Sequence, residues 1–438
     1  MDQDRTERER PLVTVVTPSF NQGRFIRETI ESVLSQDYPN LEYLVIDGGS
    51  TDETQEVLKA YGSRLCWVAE KDEGQADAVN KGLRKAKGEI FGWLNSDDTY
   101  LPGTISKIVQ FFQAFPSVAL VYGQAKYVDA EGRVVGWHPV EEFDYKRLAE
   151  TCFISQPAVF FRREVFEEVG PLDICLHYAI DYEYWMRAGK KFTLRYMPEL
   201  LATMRFHGEA KTVARRQEAQ EEVILAIRRH YSAVPARTIY VYTYIRLLEK
   251  LMPYAQGVYP NGWATRYVTF YFSGKNMSAR HIVIEGYHQR PPALTLRLST
   301  DEEPLHMKIE PGEFRFRHPI PAAGQLQIDA IEEIHGREPA ELSMDPLPAN
   351  ERPISYTLRR GCFYTIRNIS IVDDAGRVVK LFTPWVTFLF LLTLPVFIIR
   401  NTFIINRHLS VRDQLATVVH ILRTLQLGRQ NKAHAKTA

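Results

Sequence analysis

The stretch 88–103 reads GEIFGWLNSDDTYLPG: an apolar run breaks off at Asn95-Ser96-Asp97-Asp98 and a turn follows at once. Adjacent carboxylates repel one another unless a cation joins them. Hard oxygen donors of this kind suit Mg²⁺ or Mn²⁺. Asp47 closes an earlier apolar run and Asp72 follows another. If those runs are neighbouring strands, the acids share one rim. A lone Ser-Asp-Asp could equally be an acidic turn or a helix cap; its place after a buried strand, in company with Asp47 and Asp72, points to chemistry.

The elements that would position these residues alternate in type. LVTVVT (12–17) is a β-branched run, and after PSFNQG the residues Phe25, Ile26, Ile30, Val33 and Leu34 recur at helical spacing. LEYLVI (41–46) repeats the strand and ends in DGGSTDE, where Ser50 and Glu53 have capping-box spacing for the next helix. LCWVA (65–69), QADAVNKGLRKA (75–86) and EIFGWL (89–94) continue the series. Short apolar strands separated by helices predict a Rossmann-like, mostly parallel sheet covered on both faces. In such sheets ligands bind beyond the carboxyl ends of the strands, where loops and helix N-termini converge.

At 438 residues the chain exceeds the size one hydrophobic core usually serves. The expected domains are a disordered tail (1–11), an α/β domain (12–235), a connecting helix (236–256) and an antiparallel β-sandwich (257–381). Membrane-associated helices (382–430) and a basic tail (431–438) follow. The sandwich rests on regularly spaced short strands such as HIVIEGY and FYTIRNISIVD, separated by Pro and Gly. With 54 basic and 53 acidic residues there is no overall field for nucleic acid. The four cysteines form no metal or disulfide spacing, and the charged N-terminus lacks a secretory core, so a cytosolic start is expected.

FTPWVTFLFLLTLPVFII (382–399) is 18 residues without a charge, interrupted by Pro384 and Pro395. The segment 405–430 that follows is amphipathic and basic, as expected of a helix on an anionic membrane surface. Basic residues on both sides of the apolar run favour a bent, monotopic insertion over a full span. The alternative is a helix buried against the sandwich or a second subunit.

Taken together, VVTPSFNQGRF, EYLVIDGGSTDET, EKDEGQADAVNKG, GEIFGWLNSDD and the stretch from ISQPAVFF to AIDYEYWMRAG resemble the family 2 inverting glycosyltransferases, over roughly residues 12–212. The resemblance implies the A-type nucleotide-sugar-binding fold and Mg²⁺ or Mn²⁺ as cofactor. It also implies a nucleotide-diphosphate sugar donor, UDP- or dTDP-linked, and a glycan or polyprenyl-linked acceptor. The chain departs from the family's strict Asp-x-Asp form at Asn95, which leaves Asp98 for the metal and Asp97 for the ribose or metal. Pro18, with Ser19 and Asn21 in the same loop, would fix the turn under base and ribose, and Asp47 would accept from a uracil or thymine imide. The glycines after Asp47 read equally as an ordinary tight turn. By resemblance Asp72, Gly74, Asp77 and Asn80 line the donor site.

The general base falls by resemblance on Asp181, where relatives carry Glu-Asp and this chain has Ile180-Asp181. Asp181 could otherwise be a helix N-cap, with Glu183 the fallback base. His207 matches a position that approaches metal or diphosphate, and Lys211 could neutralise phosphate, or both could be solvent-facing loop residues. Trp185 and Tyr178 could stack on an acceptor sugar or belong to the core. The expectation is an inverting enzyme of bacterial surface polysaccharide assembly, at the cytoplasmic face of the inner membrane. Its rivals are a glycan-binding scaffold with a silent catalytic domain, and a nucleotidyltransferase, for which PSFNQGRF lacks the Gly-rich phosphate loop.

Overall fold

The computed structural model describes residues 10–205, 215–251, 255–258, 263–271, 279–288, 294–299, 304–321, 325–331, 362–373, 378–382 and 384–434. The chain forms two compact units, one of Met1–Phe206 with Glu221–Ser232, the other of His207–Gln220 with Ala233–Ala438.

The first unit opens with β1 (Val13–Ser19), α1 (Gly23–Leu34), β2 (Leu41–Asp47), α2 (Thr54–Ala60), β3 (Cys66–Ala69), α3 (Gln75–Lys85) and β4 (Ile90–Trp93). After the acidic turn come β5 (Thr99–Tyr100), α4 (Thr104–Ala114), β6 (Leu120–Val128), β7 (Val134–Trp137) and the short α5 (Tyr145–Leu148). Then follow β8 (Val159–Arg162), α6 (Arg163–Val169), α7 (Ile180–Lys191) and β9 (Leu194–Arg205). The sheet order is β3-β2-β1-β4-β8-β6-β9-β5, with β7 on β6. Pairing is parallel through β3, β2, β1 and β4, and again between β6 and β9. It is antiparallel where β8, β5 and β7 enter. Asp47 at the end of β2, Asp72 after β3 and Asp97-Asp98 after β4 therefore sit at one end of the parallel half.

All seven residues of β1 are buried, as a central strand covered on both faces requires. α1 turns Phe25, Ile26, Ile30 and Val33 into the core, the residues whose spacing predicts the helix. Ile26, Ile30 and Val33 share one core cluster with Val13, Val15, Val45, Ile105, Ile108 and Phe160. Around β8, Phe161 packs edge-on against Trp185 at 6.4 Å and lies 5.9 Å from Tyr184. Fully burying such side chains contributes about 1.5–3 kcal/mol each.

α8 (Arg216–His230) starts in the second unit and passes into the first at Glu221, and α9 (Ala236–Leu251) lies in the second unit. Nine strands follow: β10 (Ala255–Val258), β11 (Trp263–Tyr271), β12 (Ala279–His288), β13 (Leu294–Leu298), β14 (Leu305–Ile309), β15 (Gly312–Pro319), β16 (Gln325–Ile331), β17 (Cys362–Asp373) and β18 (Val378–Phe382). Pairing is antiparallel as expected, but the described strands join one continuous ladder, β14-β13-β16-β11-β17-β12-β15, instead of two separate sheets. β11 bonds to both β16 and β17, and this shared strand is what makes the ladder continuous.

The chain ends in α10 (Pro384–Ile405) and α11 (Val411–His434). Pro384 opens α10, where a missing N–H costs nothing, and Pro395 lies inside it. Asn406 brackets Val234, accepting from its N–H at 3.0 Å and donating to its carbonyl at 3.1 Å, while Asn401 Nδ2 donates to Thr243 Oγ1 on α9 at 3.0 Å. One face of α10 is thus packed on α9. Among the described residues no helix is long and apolar enough to cross a membrane.

Candidate active site

The loops after β1 and β2 are built as one piece. Asn21 takes a left-handed backbone (φ 52°), so the turn falls at Asn21, whereas Pro18 lies within the buried strand β1. The N–H groups of Asn21, Gln22 and Gly23, which open α1, donate to Ser50 Oγ, Thr54 Oγ1 and Asp52 Oδ2 at 2.8–2.9 Å. Asn21 Oδ1 accepts from the Thr51 N–H in return. Ser50 therefore does not form the expected capping box with Glu53. Asp52 serves α2 instead, accepting from the Thr54 N–H at 3.0 Å. Burial pushes the Asp52 carboxyl up, but the hydrogen bonds from Thr54 and Gly23 outweigh it and hold it below its ordinary range.

Asp47 is fully buried in this assembly. Its carboxylate accepts from Ser50 Oγ at 2.5 Å, from the Ser50 N–H at 3.0 Å and from Gln55 Nε2 at 3.3 Å. This is a correction to the expected contact with a base imide, since both oxygens hold the loop together and face no solvent. Phe20 faces outward here, at 58% exposure. Gly48 is required by the neighbouring loop, because a Cβ there would lie 2.5 Å from Asp72 Oδ2. Asp72 also accepts from the N–H of Gly74, whose φ of 110° suits only glycine. Ser19 Oγ is buried without a protein partner among the described residues.

Asn95 is a hub. Its Oδ1 accepts from Gln75 Nε2 of α3 at 2.7 Å and from Trp93 Nε1 at 2.9 Å, and its Nδ2 donates to Gln156 Oε1 at 2.9 Å and Asp98 Oδ2 at 3.3 Å. Gln156 Nε2 donates onward to the Trp93 carbonyl. Only an amide can accept and donate in this way. A carboxylate at 95 would lose both donors and add charge beside Asp97 and Asp98, which gives a physical reason for the departure from the strict acidic motif.

Asp98 is buried, at 2% exposure, and its Oδ1 accepts from the Arg205 N–H at the end of β9. Burial, with the charge of Asp97 behind it, pushes the Asp98 carboxyl well above its ordinary value. The Arg205 guanidinium donates to the carbonyls of Asp97, Asp129 and Ala130, pairs with Glu28 and lies over Phe25. Arg205 thereby holds the backbone that carries the acids. Asp97 is the more exposed of the two. No group of three His, Cys, Asp or Glu side chains able to hold a metal occurs among the described residues. The acid pair fits a cation of the Mg²⁺ type, which usually takes one or two carboxylates and completes its shell with substrate phosphates and water. His207 and Lys211 lie outside the described residues.

The base candidate comes from the other side of the rim. Asn80 is buried and brackets the backbone of Leu172, donating to its carbonyl at 2.9 Å and accepting from its N–H at 2.8 Å. Asn80 is thus a pin for the 170–179 loop, not a donor-lining residue as expected. Asp77 is likewise occupied, by the Glu73 N–H and by Lys81 at 3.2 Å. The loop brings His177 beside Gly74, with Nδ1 at 3.9 Å from the position of a Cβ there. Glu222 of α8 accepts from the N–H groups of His177, Tyr178 and Ala179 at 2.7–3.0 Å, closing the start of α7.

Asp181 follows in the first turn of α7, with Ala179 at the N-cap position, so Asp181 is not the cap itself. Burial raises its carboxyl to about 6, against the pull of the N–H groups of Tyr182 and Asp181. Cys152 is close enough to feel that charge. Glu183 is a different case. It is 3% exposed and ion-paired with Arg187 at 2.9 Å and His230 at 2.8 Å, so it cannot serve as a fallback base. Burial would raise it, but these partners hold it below its ordinary value. Trp185 is fully buried in the core, which corrects its expected role at an acceptor sugar; an i+4 position from Asp181 would share its face, and Trp185 turns inward with Tyr184.

Gln75, Gln156, Arg205 and Glu222 carry no expectation from sequence. The first two stand inside quoted motifs, where a paired amide beside the acidic turn is the available signal. Arg205 and Glu222 act through backbone groups and leave no such signal.

Residues 14–170 match the family model described as glycosyl transferase family 2. The chain is 27% identical over 210 residues to an uncharacterised glycosyltransferase of Rickettsia prowazekii, covering 46% of this chain and 66% of that protein. It is 28% identical over 211 residues to a PGL/p-HBAD biosynthesis glycosyltransferase of Mycobacterium tuberculosis, covering 46% of this chain and 80% of that one. The chain thus spans just under two thirds of the rickettsial relative. Among solved structures it is similar to S. aureus TarS 1–349 (20% identity, TM-score 0.41, 53% of this chain and 69% of that one). A Pyrobaculum calidifontis mannosyltransferase in complex with GDP-Man and Mn²⁺ is similar at 21% identity and TM-score 0.40, over 50% of this chain and 64% of that one. Residues 14–170, which include this rim, are thus similar to glycosyl transferase family 2.

Proposed function

We propose that the chain transfers a sugar, with inversion, from a nucleotide-diphosphate sugar to a hydroxyl of a glycan or lipid-linked glycan in bacterial surface polysaccharide assembly. The observation that supports this reading is Asp181, in the first turn of α7, whose carboxyl is raised by burial to about 6 and has no cationic partner among the described residues. The neighbouring Glu183 is ion-paired with Arg187 and hydrogen-bonded with His230. An acid so placed is ionised at neutral pH and more basic than an ordinary aspartate, as a general base needs. The family match and the mycobacterial relative's name support the reaction class.

In this reading Phe20 offers a face to the nucleoside, with Ser19 and Asp72 at its edge. Asp97 is the acid that would hold Mg²⁺ or Mn²⁺, with Asp98 as its buried support, and the cation would neutralise charge on the leaving diphosphate. Asp181 takes the proton from the acceptor O–H as that oxygen bonds to the anomeric carbon. The bond from carbon to phosphate oxygen breaks on the opposite face, and its electron pair leaves with the nucleoside diphosphate. Asn95, Gln156 and Arg205 position the acids and touch no reacting atom.

The test is a panel of UDP- and dTDP-linked sugars assayed for hydrolysis and transfer with and without Mg²⁺ or Mn²⁺. Metal-dependent nucleoside diphosphate release that collapses in Asp181→Asn is expected. A chain that binds glycans but releases none from any donor would support the scaffold reading instead.

A further inference from the structure

The two C-terminal helices carry more apolar surface than their own packing uses. α10 buries Leu394 and Ile398, and α11 buries Val418 and Ile421. A helix on the surface of a globular protein needs one such stripe. Each of these has a second. On α10, Leu392, Val396 and Ile399 follow at i, i+4 and i+7 and are 61%, 63% and 43% exposed. On α11, Val411, Leu415 and Val419 follow at i, i+4 and i+8 and are exposed as well.

The charges around these stripes have one sign. Arg400, Arg407, Arg412 and Arg423 are all exposed, and the exposed acid among residues 392–423 is Asp413 alone, which is occupied by Ser410 Oγ at 2.6 Å. Arg400 lies next to Ile399, and Arg412 and Arg423 fall on one flank of the α11 stripe at 3.6 residues per turn. An apolar stripe edged by arginine matches a surface that is apolar below and anionic above. A protein partner with an apolar groove would not by itself require the arginines.

We infer that α10 and α11 form a docking face for an anionic lipid surface. The inference does not depend on the transferase reading. Its test uses the full chain in flotation with vesicles of phosphatidylcholine alone and of phosphatidylcholine with phosphatidylglycerol. Strong, salt-sensitive binding to the anionic vesicles and weak binding to the neutral ones is expected. Leu415→Glu should weaken binding by about tenfold or more. The double substitution Arg412→Gln, Arg423→Gln should weaken it by about 25-fold, at about fivefold per arginine.

Circular dichroism and donor hydrolysis should stay unchanged in these variants, since every substituted residue is exposed and outside the catalytic unit. Failure of the wild-type chain to bind anionic vesicles would overturn the inference, as would binding that both variants retain. A concentration-dependent dimer abolished by Leu415→Glu, without vesicle binding, would assign the face to a second copy and also overturn it. Loss of donor hydrolysis in wild type would count against the transferase reading alone.

Discussion

The donor rim and the start of α7 both present buried aspartates, but the two regions occupy them differently. At the rim, Asp47 and Asp98 have hydrogen-bond donors on both oxygens. Burial raises the proton affinity of Asp98 as well as of Asp181, but at α7 Asp181 has only backbone N–H groups of its own turn to stabilise its charge. The first arrangement fixes a shape. The second stores a reactive proton acceptor. A carboxylate fully occupied by protein donors is structural, and one left short of donors in a desolvated place is available for chemistry.

Asp181→Asn breaks the comparison most directly. Turnover should fall by roughly 10²–10⁴-fold, while donor affinity measured by calorimetry stays within about twofold of wild type. The same substitution should stabilise the fold at pH 8. An aspartate whose folded value is raised from 3.8 to about 6 binds its proton more tightly when folded. Its contribution is neutral below about pH 4, becomes a cost as pH rises through about 6, and stays a cost above. Two units correspond to about 3 kcal/mol, an upper bound that urea unfolding at pH 5 and pH 8 would measure.

Wild-type kcat/KM should also rise with unit slope up to about pH 6 and level off above it, because the base must be ionised. A profile flat down to pH 4.5 would remove Asp181 from that role.

Asn95→Asp tests the rim. It removes two amide donors and adds a third charge to the acidic turn, so stability should fall by about 2–4 kcal/mol and donor affinity with it. If this variant binds donor and metal normally, the hub is dispensable. Glu222→Gln should have a smaller effect, with kcat lowered several-fold and donor affinity unchanged, since one amide oxygen still accepts at the start of α7. Trp185→Phe should cost about 1–3 kcal/mol of stability and leave acceptor KM unchanged; a raised KM would return Trp185 to the acceptor site.

Much of this was legible in the sequence. The strands and helices of the parallel half follow apolar periodicity, because a strand buried on both faces must be apolar throughout and a covering helix must be apolar on one side. The acidic turn, Asp72 and Asp181 stand out because carboxylates at strand ends and helix starts are exposed to loops. The roles of Asn80 and Asp98 were not legible, because their partners are distant in sequence: Asn80 meets Leu172, and Asp98 meets Arg205. Asp47 and Asp77 are occupied by near neighbours, Ser50 and Gln55 for the one and Glu73 and Lys81 for the other, but residue type alone does not say that the loop and helix turn those groups onto them. Trp185 was ambiguous for the same reason, as an aromatic at helical spacing suits either a core or a ligand face.

The sequence by itself determined the order of elements, the position of the rim and the chemical types gathered there, since periodicity and residue chemistry are local properties. Only the tertiary structure decided which acids have both oxygens taken up by protein donors and which is left with backbone N–H groups alone, because burial depends on residues that the chain brings together from far apart, as it brings Arg205 to Asp98 and Leu172 to Asn80.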